Sequence, residues 1–460
     1  MALTSRSRGA LTASRKFGLG PLPGESSDIG DDARGWLAAQ CERPDGAAID
    51  PGGLPVGPEA LRLQREYLDT RVMPALSFAS PGDGAQASDE PRSPARIVYD
   101  AEAALRLERA ASTAEPFLER LVMFWSNHFT VSVLKNGQVR ATAGAFEREA
   151  IRPHVLGSFR DMLGAVCRHP AMLLYLDNFL SVGPRSRRAA EQRGLGLNEN
   201  FGRELLELHT IGVDGGYAQK DVTELALILT GWGVKYHDEP DSGTFAFYPN
   251  RHEPGIRHLL GKPLADGEIE QGDEALDRLV AHPSCARYIA TRLVQHFVTD
   301  HPPPALIDRI ATVFRDTGGD LRSVSRALVT DDLAWSEAEE RFLPPYDFLV
   351  AAHRALQAQP KPTQVVVAAR SLGQEIWGAP SPKGWPDAGD AWSAPSALVE
   401  RLDWAGDFAA GLERGRNIDD LVSQLFDPAD DREFEAAVGS AGTQDQALAL
   451  LLMSPRFQRR

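Results

Sequence analysis

Apolar positions recur at three- and four-residue spacing through most of the chain beyond Tyr99, the period of helices that bury one face. The run AEAALRLERAASTAEPFLERLVMFWSNHF is rich in Ala, Leu, Glu and Arg, residues that lose little side-chain freedom in a helix. It predicts one long helix, or two broken near Glu115-Pro116, because proline lacks the N–H that a helix interior needs. The same pattern predicts helices over 141–151, 158–167, 199–211, 221–229, 270–281, 284–298, 305–317, 321–329 and 346–356, with a shorter one over 58–69. Strand signals are scarce. Only GTFAFY at 243–248 alternates β-formers after a turn-rich DEPDSG, so at most one small β-hairpin is expected. Residues 1–30 and 71–97 are rich in Gly, Pro, Ser and Asp, which break both helix and strand. The expected architecture is mainly α: an irregular N-terminal arm over 1–30, then a single multi-helix globular domain over 31–460 with a linker at 71–97. Asp221 with Glu224 reads as a capping box.

The 460-residue chain carries 49 Lys and Arg against 64 Asp and Glu, a net charge of −15, with 43% hydrophobic and 25% charged residues. These are the proportions of a soluble globular protein. The acidic balance argues against a nucleic-acid partner, because backbone affinity comes from Lys and Arg displacing counterions. The cysteines, Cys41, Cys167 and Cys285, are widely spaced and encode neither a disulfide framework nor a thiolate metal knuckle. No apolar stretch approaches the roughly 18 residues of a membrane span. Arg6, Arg8, Arg15 and Lys16 are not followed by the apolar region of a secretory signal. Cytoplasmic residence is the default expectation, with export beside a signal-bearing partner left open.

The chain contains no G-x-S-x-G elbow, no H-E-x-x-H zinc helix and no G-x-x-x-x-G-K-[ST] phosphate loop. What stands out is a set of polar residues in otherwise apolar helical segments between 125 and 232. Asn127 and His128 end LVMFWSNHF, Arg152, Pro153 and His154 interrupt the next helix, Asp177 and Asn178 end AMLLYLDN, and Asn198, Glu199 and Asn200 open the segment that holds RELLELHT. Helix ends attract such groups because they satisfy unpaired backbone polar atoms. A sharper feature is that Asn200, Glu204 and Glu207 lie within about 60° of one another on an ideal helix. Two carboxylates one turn apart repel unless a positive group is near. In one reading, Arg203 or Arg152 pairs with them, or water solvates the face. In the other, Glu204, Glu207 and a histidine from a neighbouring helix, His128 or His154, form an acid–base or divalent-metal site. His128, Glu204 and Glu207 are then the candidate catalytic residues and metal ligands. Asn127, Arg152, His154, Asp177, Asn200 and Arg203 are the candidate binding residues. His209 lies roughly 140° from Glu204 on an ideal helix, too far round to join them.

Two further stretches carry polar residues. SVGPRSRRAAEQRGLG at 181–196 reads as a solvated basic loop or a clamp for an anion. GWPDAGDAWSAPSALVERLDWA brings together Trp385, Asp387, Trp392 and Trp404, which suit a packed loop or a sugar- or peptide-binding groove. His282, His296, Arg287 and Arg292 in HPSCARYIATRLVQHF are accounted for by capping, surface charge and packing.

The segments FWSNHFTVS, FEREAIRPHVLGSFRDML, AMLLYLDN, LNENFGRELLELHTIGVDGGYAQKDVTELALILTGW, HPSCARYIATRLVQHFV and GWPDAGDAWSAPSALVERLDWA, in this order and spacing, resemble the bacterial domain of unknown function 1800 family over roughly residues 30–460. The resemblance implies no established activity. It implies a partner of the unknown-function 1501 family, similar to alkaline phosphatases and sulfatases, beside which members are often encoded. An accessory or binding protein acting with such a partner is therefore the first functional expectation. The alternative is a metal-dependent or acid–base hydrolase or oxidoreductase using the His/Glu cluster. One departure concerns Trp125-Ser126-Asn127-His128-Phe129, where the family usually reads Trp-His-Asn-His-Phe; were both histidines metal ligands, Ser126 would disable the site. Gly202 stands where alanine is usual and is expected to loosen the helix start, at about 1 kcal/mol.

Overall fold

Helices make up most of the structure, a computed structural model that describes residues 5–71, 93–236, 238–336, 341–425 and 432–460. The expected break near Glu115 separates Pro94–Ser112 from Pro116–His128, each opening with proline in its first turn, where the missing N–H has no helical partner to lose. The first of them begins inside the segment read as a linker, because Pro94 suits a helix start; residues 72–92 lie outside the described residues. The 58–69 helix is observed as Gly57–Thr70.

The N-terminal segment expected to be irregular is largely helical. Ser5–Thr12 is α-helical, Ala13–Phe17 continues as a π-turn, and Glu25–Ile29 forms a short helix. Ala13, Phe17, Leu19 and Ile29 enter the same buried cluster that extends to Phe457. Between Ser5 and Ile29 only 18–24 is without helix; Gly9 is carried inside the first helix, and burial of apolar side chains overrides the weak local propensity.

Trp232–Val234 pairs antiparallel with Phe245–Phe247, as the GTFAFY pattern predicts, and a second hairpin pairs Arg257–Leu259 with Lys262–Leu264. No alternation announces that second hairpin. It rests on Leu260-Gly261, both at positive φ (52° and 75°), the backbone twist a two-residue hairpin turn requires. Asp221 is not a cap residue: the helix starts at Gln219, so its carboxylate reaches back to the Ala218 N–H (2.9 Å) and also accepts from Leu260 N–H (2.7 Å). Glu224 accepts instead from His258 N–H at 3.0 Å.

Two further π-turns, Glu147–Ile151 and Leu205–Thr210, interrupt the middle of the chain. In the second, Ile211 N–H reaches five residues back to the Leu206 carbonyl (3.1 Å), so ideal α spacing no longer holds beyond Leu205. Gly202 is not a loose helix start. A Cβ there would lie 2.9 Å from Ala226 N and 3.1 Å from Val222 O, so its absence lets Asn200–Glu204 rest directly on the Gln219–Ile228 helix. Among the described residues, no helix is long and apolar enough to cross a membrane.

Candidate functional site

The Pro116–His128 helix places Met123, Ser126 and Asn127 on one side, since residues three and four apart share a helix face. With His296 from Pro283–Phe297, Tyr346 and Asp347 from Pro345–Ala355, and the 374–387 segment, they line a cleft of about 630 Å³, solvent at its mouth included. Asn127 fixes that last segment with two hydrogen bonds to one residue: its Nδ2 donates to the Trp385 carbonyl (2.9 Å) and its Oδ1 accepts the Trp385 N–H (2.8 Å). Gly384 makes the approach feasible, because a Cβ there would lie 2.6 Å from the Asn127 carbonyl oxygen. Trp377 has a left-handed backbone (φ 49°), a conformation that costs a bulky residue about 1–3 kcal/mol. Its carbonyl is held by Val133 N–H (2.8 Å), and its indole N–H donates towards Ser126 Oγ (3.2 Å) and Glu147 Oε2 (3.1 Å).

Glu147 joins the cleft wall to a fully buried charge network. It accepts from Arg106 Nε (2.8 Å) and Arg152 Nη2 (2.9 Å), while Arg152 forms a second, two-pronged pair with Glu119 at 2.8 and 2.6 Å. Burial alone would raise the Glu147 carboxyl; Arg106 and Arg152 outweigh it and hold the group below the usual carboxylate range. Arg152 is the converse: burial would lower it, and Glu119 and Glu147 hold it up. Arg106 spreads its guanidinium over the rings of Tyr346 (4.6 Å) and Trp377 (5.5 Å), a favourable cation–π placement.

The second polar element of the cleft is His296. Arg292 and His296, four residues apart on one helix, converge on Asp387: Arg292 Nη2 lies 3.0 Å from Oδ2, and His296 Nδ1 lies 2.8 Å from Oδ1. Arg341 donates to the Asp387 carbonyl oxygen and pairs with Asp300 (2.8 Å). Burial would raise Asp387, but the bond from His296 and the charges of Arg292 and Arg341 hold it well below the usual range. An ionised carboxylate only accepts, so the shared proton sits on Nδ1 of His296. Burial, together with Arg460 and Arg120, pushes His296 down to about 4 despite Asp387. The imidazole is therefore neutral at pH 7, and Nε2 is a buried lone pair with no hydrogen-bond partner among the described residues. A neutral histidine oriented by a carboxylate is the arrangement general bases use.

Of the residues singled out from sequence, Asn127 lines this cleft and Arg152 stands one residue behind it, joined to Trp377 through Glu147. Ser126, the departure from the family pattern, lines it as well. Trp385 and Asp387, from the stretch read as a packed loop or binding groove, line it too, and the remaining polar candidates between 125 and 232 lie elsewhere. His128 is buried against Phe124, Trp125 and Phe129, its Nε2 3.1 Å from the His209 carbonyl, and burial first, then His209 and Arg292, lower it to about 3. His209, carried inward by the π-turn, is fully buried with both ring nitrogens unpartnered. Glu207 pairs with Arg203 at 3.4 Å on a half-buried face, and Glu204 is raised by burial and by Glu207. Asp177 pairs with Lys135 (2.5 Å), Asn200 is exposed, and His154 is half-buried beside Asp161. Among the described residues, no three His, Cys, Asp or Glu side chains come together in a way that could hold a metal ion.

His296 and Arg292 have ordinary local explanations in the sequence, and Asp387 lies in the stretch read as a packed loop or binding groove; no local pattern shows that His296 and Asp387, 91 residues apart, meet. The signal available was the four-residue spacing of Arg292 and His296, which puts a cation and a titratable ring on one face.

None of the curated proteins and none of the solved structures compared matches this chain. The family model described as "Protein of unknown function (DUF1800)" matches residues 12–459, nearly the whole length. That match runs through every segment of the cleft, from Met123 to Asp387, and the chain belongs to the DUF1800 family.

Proposed function

We propose that this protein is an acid–base enzyme that takes a small, neutral, hydroxyl-bearing substrate in the cleft, with His296 accepting a proton from the substrate or from water. The observation that carries the reading is the buried His296–Asp387 pair at 2.8 Å with an unpartnered Nε2. Asp387 is the positioning residue, fixing the tautomer and the ring. Trp377, Trp385 and Tyr346 supply the aromatic walls that sugar-like rings stack on. Neutrality follows from the charges at the cleft, each of which has a partner: Arg106 has Glu147, Asp347 has Arg460, and Asp387 has Arg292. This reading keeps the acid–base chemistry expected from sequence but moves it from His128, Glu204 and Glu207 to His296, retaining Asn127 and Arg152 as the frame.

Saturation-transfer NMR against a panel of neutral polyols and sugars and their carboxylate analogues tests it. The expected result is transfer to neutral members, lost in His296→Gln and in Trp385→Ala. Transfer confined to the acids, or unchanged in His296→Gln, would overturn it. A complex with a phosphatase- or sulfatase-like partner of the 1501 family rests on the family resemblance alone; co-purification with such a partner supports it, and recovery of the chain without one counts against it.

A further inference from the structure

A second cavity opens beside the cleft, between the Gly18–Pro21 turn, the Pro345–Ala355 helix and residues 456–460, with about 370 Å³ of empty volume, solvent at its mouth included. Five arginines line it, Arg15, Arg120, Arg456, Arg459 and Arg460, against one acid, Asp347. Arg120 is only 2% exposed. Its Nη1 donates to the carbonyls of Arg15 (3.2 Å) and Gly18 (2.7 Å), while Nε and Nη2 have no hydrogen-bond partner among the described residues. Those two nitrogens form one edge of the guanidinium, the parallel pair of donors that an oxyanion takes in a two-pronged fashion. Asp347 does not satisfy them. Its Oδ2 is engaged by Arg460 and stands 4.0 Å from Arg120 Nη2.

A buried cation with unfilled donors is costly, and the neighbourhood adds more positive charge. Burial first and then Arg341 push Lys16, next to Arg15, down to about 8, and burial with Arg460 and Arg341 lowers Arg120. We infer that this cavity is a phosphate-binding site, in which Arg120 grips a phosphate group with its Nε–Nη2 edge and Arg459 and Arg460 complete the shell. A dianion fits better than a carboxylate because Arg120 and Arg459 remain as cations beyond the Arg460–Asp347 pair. The apolar remainder of the lining, Leu19, Leu343, Ala351 and Phe457, suits an organic body on the same group. Free phosphate and a phosphomonoester share the chemistry and differ only in that contact. The site shares the Arg460–Asp347 pair with the wall of the His296 cleft but makes no use of His296, so phosphate binding is read separately from the substrate proposed there.

Calorimetric titration of the full chain with inorganic phosphate, phenyl phosphate and acetate, at ionic strength fixed with chloride, tests the inference. Phosphate is expected to bind with a millimolar or lower Kd and raise Tm, and acetate to do neither. Tighter binding of phenyl phosphate assigns a phosphomonoester, and equal binding assigns the free ion. Arg120→Lys keeps the charge but removes the paired edge and is expected to weaken phosphate at least tenfold. Because Arg120 is buried, the exposed Arg459→Gln provides a second variant, expected to weaken binding several-fold with the ligand-free Tm within about a degree of wild type. Phosphate no better than chloride, acetate preferred to phosphate, or unchanged affinity in both variants would overturn the site.

Discussion

Replacing Glu147 by glutamine removes one charge from the network that holds the cleft wall, and the structure says which partner suffers. Arg152 keeps its two-pronged pair with Glu119, whereas among the described residues Arg106 has no other carboxylate partner at hydrogen-bonding distance. Both are buried, so Glu147→Gln leaves Arg106 as an uncompensated interior cation, a loss of about 3–5 kcal/mol. At about 2.1 cal/mol/K of unfolding entropy per residue, a 460-residue chain loses about 3–5 °C of Tm. Thermal unfolding by circular dichroism at pH 7 reads this directly. The pH dependence carries a sign as well. Because Glu147 is held below its unfolded value, its contribution is full above the usual carboxylate pKa and disappears as pH falls through the lower folded value. The gap between wild type and variant should therefore narrow in acid. Adding Arg106→Met removes the stranded charge and should recover much of the loss, as apolar replacements of buried pairs do. A Tm for Glu147→Gln within a degree of wild type, or a double variant as unstable as the two singles added, would refute the account of the network.

Acid should act on the histidines too. His128 and His209 (each lowered to about 3) and His296 (about 4) are buried neutral, so the unfolded chain binds more protons below pH 6.5; stability measured by urea titration should be full above that pH and fall towards pH 4, by about 1.4 kcal/mol per unit for each group. Gly202→Ala, though favourable to a helix on propensity, should lower stability by about 1–3 kcal/mol, because the added methyl meets the Gln219–Ile228 backbone; an increase in the urea midpoint would contradict this. Cys41, Cys167 and Cys285 are buried, and desolvation raises all three thiols, the first two to about 12. An aromatic disulfide reagent should label none of them until the chain unfolds.

Much of the helical framework was legible because its apolar period is carried by many residues at once. The Glu115-Pro116 break, the Gly57–Thr70 helix and the first hairpin follow from proline, periodicity and alternation. The N-terminal helices were not, since their glycines and prolines outweigh eight or five residues of weak propensity until Phe17 and Ile29 are buried. The candidate site was legible at Asn127, a polar residue ending an apolar run, and at Trp385 and Asp387 in the stretch whose aromatics suit a binding groove. Glu204 and Glu207 do interact, as their spacing predicts, with Arg203 as the positive partner of Glu207, but which histidine packs near them depends on long-range contacts that no helix spacing contains. His296 and Asp387 depend on a long-range contact that no local window contains.

The protonation of His296 is the most direct test of the central claim. In protein labelled with ¹⁵N at histidine, with the His296 signal assigned through His296→Gln, the ring-nitrogen shifts at pH 7 should report a protonated Nδ1 and a bare Nε2 that takes up its proton only near pH 4. A proton on Nε2 at pH 7, or a titration near pH 6.5, would contradict a neutral base held by Asp387.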